Sequence, residues 1–293
     1  MNEINSLAHA DSKVPRWHFT MMRDSARNAA IEAAIASCDV EGKTIVEIGT
    51  GAGLPAMLFA RYGARKVFSC EMDERIADAA REIIWANELQ DRIAVIAKSS
   101  RQAILDGDLP SAPDIIFTET LDAGVVGEGY EAIAEDIREI ASPTTLVMPY
   151  RVQQFGFLCN DVKAFEKNSV FNQCGFDLSG FNLFAERSYF PVIQMLHDPV
   201  YLSPAVLFRS YDYLDSNSLD PVEHHIVAHN SGLCHGMTSY FDAHFGKFIV
   251  SSKDRRGHWL AAFHPLREPI PVESGRHYTL RGDKTGLIEL LPI

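Results

Sequence analysis

Apolar residues first recur at helical spacing near the start of the chain. Phe19, Met22, Ala26, Ala29 and Ala33 fall three to four residues apart, which predicts one helix over 17–37. The pattern then changes. Lys43-Thr-Ile-Val-Glu-Ile48 is a short β-branched run halted by glycines at 49, 51 and 53, as expected of a buried strand entering a tight turn. Helices follow at 53–62 and 74–88, with strands at 66–70, 92–97 and 113–118. Such alternation predicts an α/β domain, a parallel sheet with helices on both faces, over 1–148. After Pro149 the chain is rich in aromatic, β-branched and His residues, with turn signals at Asn217-Ser218, Asn230-Ser231-Gly232 and Ser274-Gly275. This predicts a sandwich- or barrel-like β domain over 149–293, with a less regular stretch at about 160–187.

Composition changes this picture little. The chain has 293 residues, 46% of them hydrophobic and 23% charged, which is ordinary for a globular protein. It has no apolar run of the roughly 20 residues a membrane helix needs. The first residues lack a basic segment followed by an apolar one, so a soluble, cytoplasmic protein without a membrane partner is expected. Five scattered cysteines with no C-x-x-C pair argue against a disulfide framework or structural zinc. His224 and His225 are neighbours on a predicted strand, so they point to opposite faces, and no metal site is expected. Trp85, beside Ile84 and Leu89, is expected to pack its helix. Charge is more informative. With 39 acidic and 27 basic residues the net charge is −12, which opposes a nucleic-acid partner and favours cationic substrates.

The first chemical feature is Glu47-Ile-Gly49-Thr-Gly51-Ala-Gly53. Glycines let the backbone turn tightly and approach a ligand, and the following helix offers its N–H groups. A dinucleotide loop would read G-x-G-x-x-G, but its last position is Leu54, and Glu47 would crowd a pyrophosphate. An acid there suits a cationic amino group. Glu71, at the end of the second strand, reads either as a ribose acceptor or as a solvated carboxylate, and its distance from the glycine turn favours ribose. Asp73 and Glu74 suit the start of the next helix.

With these residues in view, the chain resembles the protein arginine methyltransferases along nearly its whole length. Met21-Met22-Arg-Asp24-Ser-Ala-Arg27 looks like that family's cofactor-covering helix. The resemblance implies S-adenosylmethionine as cofactor, with S-adenosylhomocysteine as product. It implies that Met21 borders the sulfonium, Arg27 holds the methionine carboxylate, and Glu47, Gly49, Gly51, Gly53, Glu71 and Ser100 complete the cofactor site. Thr118-Glu119-Thr-Leu-Asp122 and Gly127-Glu128-Gly129 resemble the family's loop of two glutamates that clamp a guanidinium, in wording nearest the monomethylating branch. Gly175–Phe181 resembles the family's dimerisation arm, which implies a homodimer, and Gly257-His258-Trp259 resembles its Thr-His-Trp loop. Fold and function follow as expectations: a Rossmann-like domain, a β-barrel domain, and methyl transfer to a guanidino nitrogen.

The residues fit that chemistry on their own terms. A guanidinium, with a pKa above about 12, must approach a second cation. Glu119 and Glu128 can offset the charge, fix the guanidinium plane and bias the attacking nitrogen, while Trp259 forms part of the substrate wall. His258 reads equally as a packing residue or a proton acceptor, and the resemblance favours the acceptor. The substrate is left open between an arginine-containing protein and free arginine or a small guanidino compound, where the internal nitrogen is also reachable. A non-catalytic subunit of the same fold is disfavoured because all four glutamates are present. Product specificity is expected to depend on the volume around Gly129, Tyr130 and Met21.

Overall fold

The computed structural model describes residues 13–253 and 257–293. The first dozen residues, on which the expectation of no leader rests, lie outside the described residues. By its internal contacts the chain forms two compact units. One contains the described residues up to Thr120, with Ala132–Tyr150 and His244–Val250. The other contains Leu121–Glu131, Arg151–Ala243 and the described residues from Ser251 onward.

In the first unit the order is α1 (Trp17–Met22), α2 (Ser25–Ser37), β1 (Thr44–Ile48), α3 (Leu54–Arg61), β2 (Lys66–Cys70), α4 (Glu74–Ala86), β3 (Ile93–Ile96), α5 (Ser100–Leu105), β4 (Ile115–Thr118), α6 (Tyr130–Ile140, of which Tyr130 and Glu131 belong to the second unit) and β5 (Leu146–Met148). The strands form one parallel sheet in the order β3-β2-β1-β4-β5. Every residue of β1 and β4 is buried, as parallel strands covered on both faces must be. Register sets Glu47 beside Ser69 on β2 and Phe117 on β4. The sheet thus brings the ends of β1, β2 and β4 to one edge, the usual ligand edge of such folds.

Two expectations about helices are corrected. The helix expected over 17–37 is two helices, because the Asp24 carboxylate accepts the Arg27 backbone N–H at 3.0 Å and caps a new start. The buried face also differs. Phe19 and Met22 are exposed, whereas Arg27, Ile31, Ala34 and Ile35 face inward. An apolar-periodicity reading misses this stripe because its first member is charged. Trp85 does not pack its helix inward either; it is 61% exposed, while Ile84 is buried.

The second unit is built from β6 (Arg151–Asn160), α7 (Val162–Lys167), β7 (Asn172–Gln173), β8 (Phe176–Asp177), β9 (Phe190–Val192), α8 (Gln194–His197), β10 (Val200–Tyr201), β11 (Val206–Tyr211), β12 (Val222–Val227), β13 (Gly232–Phe245), β14 (Phe248–Ser251), β15 (Ala261–Val272), β16 (His277–Gly282) and β17 (Ile288–Pro292). The end of β13 and most of β14 belong to the first unit. One sheet follows the path β10-β6-β13-β15-β9, with β11 on β6 and β14 on β13, and a smaller one the order β12-β16-β17; β10 and β11 pair antiparallel with β6, β15 with β13 and β9, and β16 with β12 and β17. Between them lies a core that includes Leu158, Phe208, Met237, Leu266, Tyr278 and Leu290.

The stretch 160–187 leaves this body as α7, the small β7–β8 hairpin and a 3-10 turn at Ser179–Phe184. Paired amides close its stem. Asn168 donates to the Glu186 carbonyl at 2.7 Å and accepts its N–H at 2.8 Å, while Asn182 does the same with Val170 at 2.9 and 2.7 Å. Its tip carries Phe176, Phe181 and Phe184 at 70%, 68% and 71% exposure.

Candidate active site

At the sheet edge of the first unit, Glu47 is fully buried. Its Oε2 accepts the Ser69 hydroxyl, which in turn pairs with Thr50 Oγ1 at 2.6 Å, while Oε1 has no hydrogen-bond partner. Burial lifts this carboxyl to about 8, against the opposing pull of the Ser69 hydroxyl, the Ala56 N–H and the Arg27 charge, with Glu71 adding to the rise. An unpartnered buried carboxylate oxygen is costly unless a ligand supplies the missing donor.

Gly49 follows with φ +89°, and a Cβ there would lie 2.7 Å from Thr120 Cγ2, so only glycine fits the turn. Gly51 and Gly53 also have positive φ, and Gly53 caps α3. Glu71 is tied to this turn. Its Oε2 accepts the Gly51 N–H at 3.0 Å and its Oε1 the Asp73 N–H at 3.1 Å, so the carboxylate is held rather than loose. Asp73 caps α4, as the sequence suggests. From α1, His18 lies near enough for Glu71 and Asp73 to raise its pKa, although burial lowers it on balance. Met21 on the same helix is half-buried.

Arg27 meets Glu119. Its Nε donates to Oε1 at 2.5 Å, Nη2 pairs with Oε2, and both side chains are 6% exposed. Nη1 donates to Asn28 Oδ1 at 2.7 Å. Burial lowers the guanidinium to about 10, with Asp24 and Glu47 pulling it back, so it stays charged at neutral pH. Of five guanidinium N–H groups, these contacts leave two. Arg27, expected from resemblance to face the methionine carboxylate, is first of all the counter-ion of Glu119, a partner 92 positions away that no local pattern reveals. Ser100, expected in the cofactor site, has a buried hydroxyl that donates to Asp136 on α6 at 2.6 Å and so fastens two helices.

The second unit holds the other glutamate. Glu128 is exposed at the end of the loop that begins at Leu121. Gly129 has φ +87° and open space beside it, so backbone conformation requires the glycine there. Tyr130 is fully buried, its ring 4.6 Å from Tyr213 and 5.2 Å from Tyr211, and therefore belongs to the core. Trp259 is half-buried, donates from Nε1 to the Leu121 carbonyl at 2.8 Å and packs edge-on to Phe241. His258 lies with its ring 3.9 Å from that indole. Sequence reading quoted Asp122 in the E-x-L-D wording of this loop but gave it no role, and it missed Tyr189, whose hydroxyl donates to Asp122 from 67 positions away.

A parallel sheet in this order, with a glycine turn and two acids at its carboxyl edge followed by an antiparallel unit, defines the class as methyltransferases of Rossmann type. No family model matches the chain. It is 34% identical over 278 residues to an arginine N(omega)-methyltransferase of Streptomyces achromogenes subsp. streptozoticus, covering 93% of this chain and 77% of that protein. The chain belongs to the arginine N-methyltransferase family, whose methyl donor is S-adenosylmethionine. It is also 36% identical over 117 residues to protein arginine N-methyltransferase 9 of Xenopus laevis and 30% identical over 160 residues to protein arginine N-methyltransferase 7 of Bos taurus. Those matches cover 40% and 52% of this chain but only 14% and 23% of the relatives. Among solved structures, a Trypanosoma brucei PRMT1 enzyme–prozyme heterotetramer with AdoHcy shares the fold at TM-score 0.75 and 20% identity, covering 92% of this chain and 89% of that one. Arabidopsis thaliana protein arginine methyltransferase 10 shares it at TM-score 0.70 and 20% identity, covering 90% and 86%.

Proposed function

We propose that the chain methylates a terminal guanidino nitrogen of free arginine. The observation that carries this reading is the match along 93% of the chain to a relative whose name specifies arginine and its ω nitrogen. Sequence matches to the relatives named for protein arginine cover only about half of the chain or less, while solved structures so named share the fold along about nine-tenths of it at 20% identity. S-adenosylmethionine supplies a methyl group on a positively charged sulfur. Glu47 takes its amino group on the unpartnered Oε1, and Glu71 takes the ribose hydroxyls. Arg27 offers its two remaining N–H groups to the carboxylate, and Met21 borders the sulfur. The Arg27–Glu119 pair supports Glu119 as a guanidinium acceptor, since a guanidinium already rests on it and each oxygen keeps a further lone pair. Glu128 supplies the second carboxylate, Trp259 a wall, and His258 the proton acceptor. Transfer relies mainly on alignment and on offsetting two cations.

The first test offers labelled S-adenosylmethionine to free arginine and to an arginine-rich protein in parallel, with mass spectrometry locating the methyl. Label on the ω nitrogen of free arginine is expected. Label on protein alone would sink the free-arginine reading, and label on the internal nitrogen would sink the terminal one. The number of methyl groups is read from the same spectra, with one expected.

The exposed aromatic arm supports a homodimer, because monomers rarely leave so many phenylalanines in water. Sedimentation should show a dimer that Phe181→Asp with Phe184→Asp converts to monomer; an unchanged mass would remove the arm from the interface. No helix among the described residues is long and apolar enough to cross a membrane. Five unpaired cysteines support a reducing cytoplasmic location.

A further inference from the structure

The loop that carries Glu128 is strained and clasped. Val125 is fully buried with φ +79°, a conformation that is unfavourable for a β-branched residue and persists only where the surroundings enforce it. The enforcing group is Asp122. Its Oδ1 accepts the N–H groups of Gly124 at 3.2 Å and Gly127 at 3.0 Å, and its Oδ2 accepts the Tyr189 hydroxyl at 2.9 Å. The fit leaves no room for alternatives. A Cβ at Gly124 would overlap the Tyr189 ring, and one at Gly127 would overlap the Asp122 carboxylate and lie 2.7 Å from the Tyr189 hydroxyl. On its far side the ring meets Gly286, where a Cβ would come within 2.7 Å of Cδ1. Tyr189 is itself fixed, since the next residue, Phe190, opens β9 and pairs with Phe263 on β15. Burial raises the Asp122 carboxyl despite three donors, so the loss of any donor leaves a poorly solvated charge free to turn.

We propose that Tyr189 is a positioning residue for methyl transfer, holding Asp122, and through it the strained loop, so that Glu128 meets the guanidinium in one geometry. This rests on the reading of Glu128 as a guanidinium acceptor. Tyr189→Phe keeps the ring and removes only the hydroxyl. Measured in the full chain, it should lower kcat/KM for arginine about tenfold, the worth of a hydrogen bond to a charged group. Cofactor affinity should stay within about twofold, because neither Tyr189 nor Asp122 is among the residues proposed to hold the cofactor.

The deciding measurement is a double-mutant cycle with Glu128→Gln, whose residual turnover is followed by labelled methyl. If Tyr189 acts through Glu128, Tyr189→Phe should cost less than about twofold in the Glu128→Gln background. Equal losses in both backgrounds, or no loss in the parent, would overturn the proposal. Should Tyr189→Phe fold poorly, Asp122→Asn enters the same cycle with the same criteria. Normal turnover of Glu128→Gln alone would sink the reading of Glu128 and this proposal with it. A normal Glu128→Gln defect with equal Tyr189→Phe losses would sink only this proposal.

Discussion

Glu119 and Glu128 are nine residues apart, yet they belong to different compact units and are handled by opposite means. Glu119 is buried, and its charge is answered in advance by a buried guanidinium from α2. Glu128 is exposed, and what is fixed is the backbone beneath it, through Asp122, three glycines and a strained valine. One acid is held by electrostatics that also support the fold. The other stands exposed on a loop whose backbone is fixed by geometry. The same substitution at the two sites should therefore separate activity from stability.

The largest expected effect is at the buried pair. Glu119→Gln should lower turnover by about a thousandfold and, by leaving Arg27 without its counter-charge, destabilise the protein by about 3–5 kcal/mol. Denaturant unfolding and methyl transfer, measured side by side, check both. Glu128→Gln comes next: about a hundredfold loss of turnover with stability within about 0.5 kcal/mol of the parent. If Glu128→Gln proved as destabilising as Glu119→Gln, the contrast would collapse.

A smaller effect sharpens the comparison within the first unit. Glu47 binds protons more tightly when folded, with its carboxyl lifted to about 8 from its ordinary 4.5. The folded state therefore holds more protons than the unfolded one across that window, and stability falls as pH rises through it. The contribution is fully present below about 4.5 and lost above about 8. Glu47→Gln should flatten the stability–pH slope of the unliganded protein between those values. An unchanged slope would place the lifted carboxyl elsewhere. Smallest of all, Trp85→Ala should change stability by less than about 0.5 kcal/mol, since that side chain is largely exposed.

Much of the molecule was legible in the sequence for physical reasons. Buried parallel strands such as β1 and β4 are written as short runs rich in apolar and β-branched residues, and the glycine turn needs positive φ, so both leave marks in the text. Aromatic and turn-rich wording likewise announced the antiparallel unit. What escaped depends on long-range partners. Arg27 looks like a surface charge until Glu119 is folded against it, and Ser100 looks available until Asp136 takes its hydroxyl. Tyr189 was unreadable as a loop clasp because Asp122 lies 67 positions earlier. Tyr130 was read as a pocket wall, but Tyr211 and Tyr213, distant in sequence, enclose it.

The stem of the arm has a consequence for how such a chain changes over generations. Because Asn168 and Glu186 exchange hydrogen bonds, segment 169–185 leaves and re-enters the body at nearly the same point. A segment anchored in this way is a cassette: lengthening, shortening or rewriting its tip alters no strand register on either side. The tip can thus drift rapidly while the loops carrying Glu119 and Glu128 stay as they are.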